Sequence, residues 1–288
     1  MTAPATPTLR RRRPRKGRRL SSAVAILVAA VWAFPVYWMV NSSFQSSSRL
    51  RAPDPAWLPF NDEASTDAYG RVVDASFWHS MQLSLTVTVL AVVAGLAFAF
   101  LAALAISRFR IRGKGAFIIV ILVVQMIPAE ALFISQYKML SGWGLFNTVA
   151  GLTLLYLAMI LPFTVWMLRG FVAGVPAELE EAAMVDGCSR FRAFFTITFP
   201  LLAPGLVASG VYGFLQCWNE ITLATVVMDP SNRTIPLWLQ GMTTVSNQAI
   251  DWPAVMAGAT LVAVPVIGLF MFVQNKMTSG MVSGAVKG

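Results

Sequence analysis

Charged residues, cysteine and histidine are all scarce in this sequence. Only 12% of its 288 residues are charged and 57% are hydrophobic, whereas soluble domains carry about 25% charged residues. So little charge cannot coat a water-facing globule, which argues against a soluble enzyme, and hydrophobicity this high excludes disorder for most of the chain. Two cysteines without a CxxC spacing indicate neither a disulfide framework nor a zinc site, and a single histidine excludes a histidine-based metal cluster. The composition is that of a protein whose solvent is mostly lipid.

The net charge of +9 is concentrated near the N-terminus. Between Arg10 and Arg19 eight of ten residues are basic, directly before an apolar run. Such a cluster meets anionic lipid headgroups and fixes the orientation of the run that follows. We therefore predict that residues 1–19 form a disordered cytoplasmic tail that contacts anionic lipids, and we expect no nucleic-acid partner.

Six stretches are long and apolar enough to cross a bilayer. A span takes about 20 residues, because each residue of a helix rises about 1.5 Å against a hydrocarbon core of roughly 30 Å. The stretches are 20–44, 80–106, 115–137, 139–168, 193–228 and 252–275, interrupted only by Glu130 and Glu220. A cleavable signal peptide is the alternative for the first stretch. Its apolar core continues through Tyr37 and Trp38, however, which favours an uncleaved anchor.

Basic residues are unequally distributed between the two sides of these spans. With the N-terminus inside, the cytoplasmic segments hold 17 of the 22 Lys and Arg residues and the outer segments hold five. The positive-inside rule then places both termini in the cytoplasm. The prediction is an all-α polytopic membrane protein with six transmembrane helices. It has an extracytoplasmic loop at 45–79, a five-helix core at 80–276 and a cytoplasmic tail at 277–288.

The cytoplasmic connection between the fourth and fifth spans carries helix signals of its own. Pro176 suits the first turn of a helix, and the acids that follow it suit the positive end of the helix dipole. Gly187 can adopt the left-handed conformation that ends a helix, and Ser189 can cap a second one. These signals predict two short helices at 176–193, with small alanines that let another protein approach closely. From the residues alone, an ordinary amphipathic elbow at the membrane interface is an equal alternative.

The spacing in this loop resembles the EAA motif of bacterial ABC importer permeases. Glu181-Ala182-Ala183, three residues, Gly187, nine residues and Ile197-Thr-Phe-Pro200 match it. Only Phe199 departs, where the family has leucine. Other segments resemble, in the expected order, the sugar-importing, maltose-type branch of that family. They are Ala105-Ile-Ser-Arg108-Phe with Gly113, Gly142-Trp-Gly-Leu-Phe-Asn147-Thr148 with Gly151, Trp218-Asn219-Glu220, and the ending Gly284-Ala-Val-Lys287-Gly288.

The resemblance covers nearly the whole chain after residue 20 and implies a type I permease fold in the bacterial cell (inner or plasma) membrane. It also implies an assembly with a second homologous permease, a cytosolic ABC ATPase dimer and an extracytoplasmic solute-binding protein. In the family this loop docks on the ATPase. The coupling residues it implies here are Glu181, Ala182, Ala183, Asp186 and Gly187.

The chain shows no phosphate loop of its own. The nearest match, at Gly113-Lys114, has Arg108 at the first glycine position and Gly115 in place of Ser or Thr. We therefore expect this chain to bind no cofactor, with ATP and Mg on the partner ATPase, and we expect it not to be an enzyme.

A few polar residues interrupt the spans, where a charge near a helix centre costs roughly 2.5–3.5 kcal/mol. Amides and aromatic planes suit a sugar, whose hydroxyls need hydrogen bonds and whose ring faces are apolar. The alternative is that the acids lie near the outer ends of their spans and hold structure. The candidates for a substrate pathway are Gln125, Glu130, Gln216, Trp218, Asn219 and Glu220.

The predicted function is the permease subunit of an ATP-driven, binding-protein-dependent importer of a sugar or oligosaccharide, working by alternating access. An ion-gradient-driven secondary transporter is the alternative; it predicts inverted repeats and broken helices, and the sequence has no convincing repeat. A membrane enzyme is a third possibility, but neither HExxH nor GxSxG occurs.

Overall fold

Every regular element in the described part of the chain is helical. The computed structural model describes residues 16–53, 57, 64–109, 111–244 and 249–284, so most of the predicted basic tail and the last four residues lie outside it. In chain order the helices are α1 (Lys16–Ser43), α2 (Ser47–Leu50), α3 (Asp67–Val72), α4 (Ala75–Arg108), α5 (Lys114–Val124), α6 (Phe133–Gly142), α7 (Val149–Gly174), α8 (Glu178–Val185), α9 (Arg190–Ala193), α10 (Phe199–Trp218), α11 (Thr222–Val227), α12 (Ile235–Gly241) and α13 (Trp252–Gly284). A 3-10 turn at Ala129–Leu132 precedes α6, and a π-helix at Phe194–Thr198 joins α9 to α10.

Five helical runs are long and apolar enough to cross a bilayer. They are Ser21–Ser43, Ser76–Arg108, Val149–Gly174, Arg190–Trp218 and Trp252–Gln274. Each lies largely within one of the predicted spans, which confirms the predicted all-α polytopic architecture. The fourth span begins only at Val149, because a turn with Gly144 and Asn147 at positive φ comes before it.

The third predicted span is bent rather than straight. α5 and the segment Ala129–Gly142 meet at 90°, so the chain has six spans when this bent pair counts as one. Pro128 explains the break, because proline has no backbone N–H to donate and disfavours the α conformation in the residue before it. The third span is therefore not a continuous helix over 115–137.

The centre of the bundle is the pair α4 and α7, with α10 packed against both. Gly205 of α10 lies directly on the ring of Phe171 of α7, where an added Cβ would collide with the ring. Small residues at helix contacts let backbones approach closely inside a membrane. Val87 and Ala91 of α4 are fully buried in the core cluster next to α7.

The described residues of the outer segment after α1 include α2 and α3, which contact α13. The Asp251 carboxylate, just before α13, accepts a hydrogen bond from Arg71 Nε at 2.9 Å and one from Ser47 Oγ at 3.2 Å. α1 itself packs against α13, yet no residue in its apolar window is buried. Most of the surface of α1 is therefore left for lipid or another subunit.

Candidate coupling site and polar span positions

The connection between α7 and α10 contains two short helices, α8 and α9. α8 begins at Glu178, two residues after Pro176, and has three glutamates in its first turn. Carboxylates there face the positive end of the helix dipole. α9 begins after Ser189, whose hydroxyl accepts a hydrogen bond from the Arg192 backbone N–H at 3.3 Å. Local sequence signals therefore account for both helices.

The turn between the two helices depends on Gly187. Its φ is +89°, a conformation that favours glycine. The Gly187 N–H donates to the Met184 carbonyl at 3.1 Å, and the Cys188 N–H donates to the Ala183 carbonyl at 3.0 Å. This is the Schellman arrangement that closes a helix end. No atom lies within 4 Å of the place a Cβ would take, so the backbone conformation, and not a lack of space, requires glycine.

Most of the predicted coupling residues lie on the exposed surface of this element. Glu181, Ala182, Asp186 and Gly187 are exposed and Ala183 is half-buried. Two apolar side chains stand out beside them: Val185 is 87% exposed and Phe191 is 75% exposed. Sequence reasoning did not single these two out.

Exposed apolar side chains clustered with polar neighbours mark interaction sites. The sequence gives a signal only for Phe191, which stands between Arg190 and Arg192; Val185 follows other apolar residues and has no such signal. The exposed surface formed by Glu181, Ala182, Val185, Asp186 and Phe191 is called the docking surface below.

The inner side of α8 is held by Glu180, which sequence reasoning also did not single out. Glu180 Oε1 accepts a hydrogen bond from Thr198 Oγ1 at 2.7 Å. The same oxygen lies 3.2 Å from Nη2 of Arg108, the last residue of α4. The signal in the sequence is spacing, because Glu180 shares a helix face with the half-buried Ala183 three residues later.

Phenylalanines connect the start of the fifth span to α4. The ring of Phe100 on α4 lies 6.1 Å from the ring of Phe194 and 5.9 Å from that of Phe199, measured between centroids. Phe194 opens the π-helix, a widened turn that is often found at functional sites.

Two of the six candidate pathway residues are not exposed, because Trp218 is buried and Glu220 is half-buried. Trp218 is 2% exposed and stacks on Phe214 with ring centroids 5.5 Å apart. The Glu220 carboxylate accepts hydrogen bonds from the backbone N–H groups of Leu223 at 2.7 Å and Ala224 at 3.2 Å, so it caps the start of α11. Both residues therefore support the fold in this conformation.

The other four candidates are exposed. Gln216 Nε2 donates to the Tyr212 hydroxyl at 3.4 Å, and Asn219 Nδ2 donates to the Leu215 carbonyl at 2.8 Å. Gln125 ends α5 and Glu130 lies in the 3-10 turn, so both flank the bend of the third span. The candidates thus form two groups, one at the end of α10 and one at the bend.

Sequence reasoning missed a polar network that joins two outer loops to the start of α4. Asn147, at a φ of +56°, donates from Nδ2 to Asp229 Oδ2 at 3.0 Å, and its Oδ1 accepts from the Asp229 backbone N–H at 3.1 Å. The same Oδ1 accepts from Asn232 Nδ2 at 3.1 Å, and Asn232 Oδ1 accepts from His79 Nε2 at 2.9 Å. The sequence signal that could have indicated this network is Asn147 itself, within the Gly-Leu-Phe-Asn-Thr segment.

The described helices thus form a bundle of apolar spans with a capped, exposed helix–turn–helix between two of them. The chain belongs to the family of inner membrane components of binding-protein-dependent transport systems, whose profile matches residues 91–281.

Relatives of nearly the same length are permeases. The chain is 40% identical over 274 residues to the diacetylchitobiose uptake system permease protein DasC of Streptomyces coelicolor, a match that covers 94% of this chain and 98% of that protein. It is 31% identical over 271 residues to the trehalose/maltose transport system permease protein MalG of Thermococcus litoralis, covering 92% and 95% of the two chains. The predicted family and the inner-membrane, multi-pass location are confirmed.

One solved structure has a closely similar fold. It is a bacterial ABC transporter involved in the import of the acidic polysaccharide alginate, with a TM-score of 0.75 at 24% identity over 92% of this chain and 99% of that chain. The likeness confirms the predicted permease fold. Members of the family are transport subunits, in keeping with the expectation that this chain is not itself an enzyme.

Proposed function

We propose that this chain is the permease subunit of an ATP-driven importer of a sugar or oligosaccharide. The observation that carries the coupling part of the proposal is the docking surface on a helix pair closed by Gly187. The sugar is supported by the relatives, whose names specify diacetylchitobiose and trehalose or maltose.

The proposed partners are a second homologous permease, a cytosolic ABC ATPase dimer and an extracytoplasmic solute-binding protein. Large apolar surfaces support the second permease: α5 buries no residue, and Trp32 of α1 is 79% exposed. ATP and Mg would lie on the ATPase, and anionic lipids would meet the basic tail of residues 1–19.

The proposed mechanism is alternating access driven from the cytoplasmic side. ATP binding closes the ATPase dimer, and the docking surface moves with the ATPase subunit on which it sits. Because the Gly187 turn and the hydrogen bonds donated by the Gly187 and Cys188 N–H groups fix the angle between α8 and α9, the pair moves as a lever. The lever turns the spans from an inward-facing to an outward-facing arrangement.

For the substrate pathway, the exposed amides are the best-supported candidates. An exposed polar side chain within an apolar helix is costly against lipid and usually faces water or a partner. Gln216 lies beside Tyr212, whose ring centroid is 4.3 Å from that of Phe163, so amide and aromatic groups adjoin one surface of α7 and α10. Gln125 and Glu130 flank irregular backbone at the bend, which a membrane tolerates where it lines a cavity or is buried in protein.

The bend in the third span is a feature that a secondary transporter would share. Membership in a binding-protein-dependent family favours the importer.

Uptake by the reconstituted assembly tests the proposal. Proteoliposomes containing this chain with its partners would be given ATP and radiolabelled diacetylchitobiose, maltose or trehalose. We expect uptake of at least one of these sugars, its loss when the ATPase is inactivated, and no effect of an ionophore. Uptake that continues with an inactive ATPase and stops with the ionophore would favour the secondary transporter.

A further inference from the structure

Three parts of the chain meet at the Glu180 carboxylate. Glu180 belongs to α8, Arg108 is the last residue of α4, and Thr198 is the last residue of the π-helix before α10. One carboxylate oxygen lies 2.7 Å from Thr198 Oγ1 and 3.2 Å from Arg108 Nη2. These three side chains are called the clasp below.

The clasp is largely shielded from water. The side chains of Arg108 and Glu180 are 20% and 15% exposed, and Thr198 is fully buried. Charges removed from water to this degree are costly to leave unpaired. Arg108 and Glu180 are paired by charge and Thr198 donates to the same carboxylate, so separating α8 from Arg108 would leave a charge unpaired in a shielded site.

The covalent routes from α8 to the spans are both irregular. Towards α7 the chain passes through Val175, whose φ of −94° and ψ of 116° are extended, and then through Pro176. Towards α10 it passes through the Gly187 turn and the π-helix. Neither route is a continuous α-helix. The Gly187 turn holds α8 and α9 at a fixed angle, but a push on this pair is absorbed by bending at Val175-Pro176 and in the π-helix unless a further contact opposes it.

We propose that Glu180 is a positioning residue that fastens α8 directly to the inner ends of α4 and α10. A displacement of α8 then passes to the spans through the clasp and is not absorbed at the joints. This inference rests on the coupling function proposed above. Glu180 transmits the movement of α8 to the spans, whereas the docking surface contacts the ATPase.

The first test measures uptake per ATP hydrolysed in the reconstituted assembly, with diacetylchitobiose, maltose and trehalose as the probes. Glu180→Gln keeps an acceptor for Thr198 but removes the charge facing Arg108. The matched control is Glu178→Gln, which makes the same change at an exposed position in the same turn. We expect the ratio to fall by about tenfold for Glu180→Gln, within the range typical of coupling between sites, and to stay unchanged for the control.

Restoring the ion pair distinguishes a loss of movement transfer from α8 to the spans from a general loss of structure. The double variant Arg108→Glu with Glu180→Arg reverses the pair and keeps the net charge, so we expect it to regain part of the lost ratio. Equal ratios for Glu180→Gln and Glu178→Gln would overturn the proposal, as would a double variant no better than Glu180→Gln.

A second measurement needs no change in the clasp. Spin labels at Leu179 on α8 (42% exposed) and Leu101 on α4 (63% exposed) report the distance between the two helices in the assembly, with Cys188 replaced by serine and Cys217 buried. We expect the distance to be the same without nucleotide and with ATP plus EDTA. A shift of several ångströms would overturn the clasp.

Cross-linking from Val185→Cys to the ATPase distinguishes the two proposals. A cross-link together with a failed clasp test would refute the clasp alone, whereas the absence of any cross-link would refute the coupling function on which it rests.

Discussion

At the scale of single residues, Gly187 tests whether the turn acts as a rigid joint. A β-branched residue at its φ of +89° costs about 1–3 kcal/mol, so we expect Gly187→Val to lose uptake while the protein still inserts and ATP hydrolysis continues. The matched control is Gly115→Val, at a helical position that also has open space around it. Uptake and ATPase rates are the measurements. Normal uptake by Gly187→Val would contradict the lever.

Glu220 is expected to act on stability. Its carboxylate accepts two backbone hydrogen bonds at the start of α11, and leaving such donors unsatisfied costs about 1–3 kcal/mol. We expect Glu220→Ala to lower the melting temperature of the detergent-solubilised protein, and Glu220→Gln to recover part of the loss because its amide oxygen still accepts. If both variants melt like the wild type but lose sugar uptake, Glu220 belongs to the pathway instead.

Asp74 gives a pH dependence outside the membrane. The backbone N–H of Phe77 and the hydroxyl of Ser76 donate to its carboxylate and lower its pKa. A carboxyl group whose pKa is lower in the folded state stabilises the fold at pH values above its pKa in the unfolded state, which is about 3.9. This contribution to stability disappears as the pH falls through the pKa of the folded state. The difference in melting temperature between wild type and Asp74→Ala should therefore shrink below about pH 4. The change in this melting-temperature difference is small because Asp74 is exposed. A melting-temperature difference that stays constant with pH would contradict the prediction.

At the scale of elements, the sequence predicts structure best where the signals are local. Gly187 and Ser189 lie next to the backbone groups that they serve, so the helix pair could be predicted. Pro128 is equally local, yet a prediction based on apolar length alone passed over the bend that it causes.

Long-range contacts could not be predicted from the sequence. Nothing in the spacing shows that Glu180 meets Arg108, because those residues are brought together only when α4 and α8 pack. Trp218 shows a second limit. A helix that is apolar all round does not reveal which face is buried, so a ring that could have faced a sugar packs on Phe214.

The network around Asn147 joins elements on the outer side and supports a further prediction. Asn147→Ala loses the side-chain hydrogen bonds and also strains a φ of +56°, whereas Asn147→Gly loses only the bonds. We expect both variants to melt at a lower temperature than the wild type, because the lost hydrogen bonds reduce the free energy of unfolding by about 1–3 kcal/mol. The alanine variant should have the lower melting temperature of the two. Thermal unfolding in detergent measures this, and an alanine variant as stable as the wild type would contradict it.

At the scale of the whole molecule, composition and charge distribution were enough to predict the class of protein. Scarce charge over six apolar stretches requires a lipid environment, and the unequal basic residues set the orientation. What composition could not predict is which surfaces remain for partners. The structure leaves α1, α5 and the docking surface uncovered, and these are the surfaces that lipid and the proposed partners would occupy.

Cross-linking from the docking surface tests the central claim most directly. Val185→Cys, at the most exposed apolar position of α8, would be cross-linked in the reconstituted assembly during ATP turnover, with Leu101→Cys on the spanning part of α4 as the control. The account predicts an adduct with the ATPase subunit from position 185 only, with a yield that differs between nucleotide-free and ATP-bound states. Uptake that proceeds while position 185 never reaches the ATPase would contradict it.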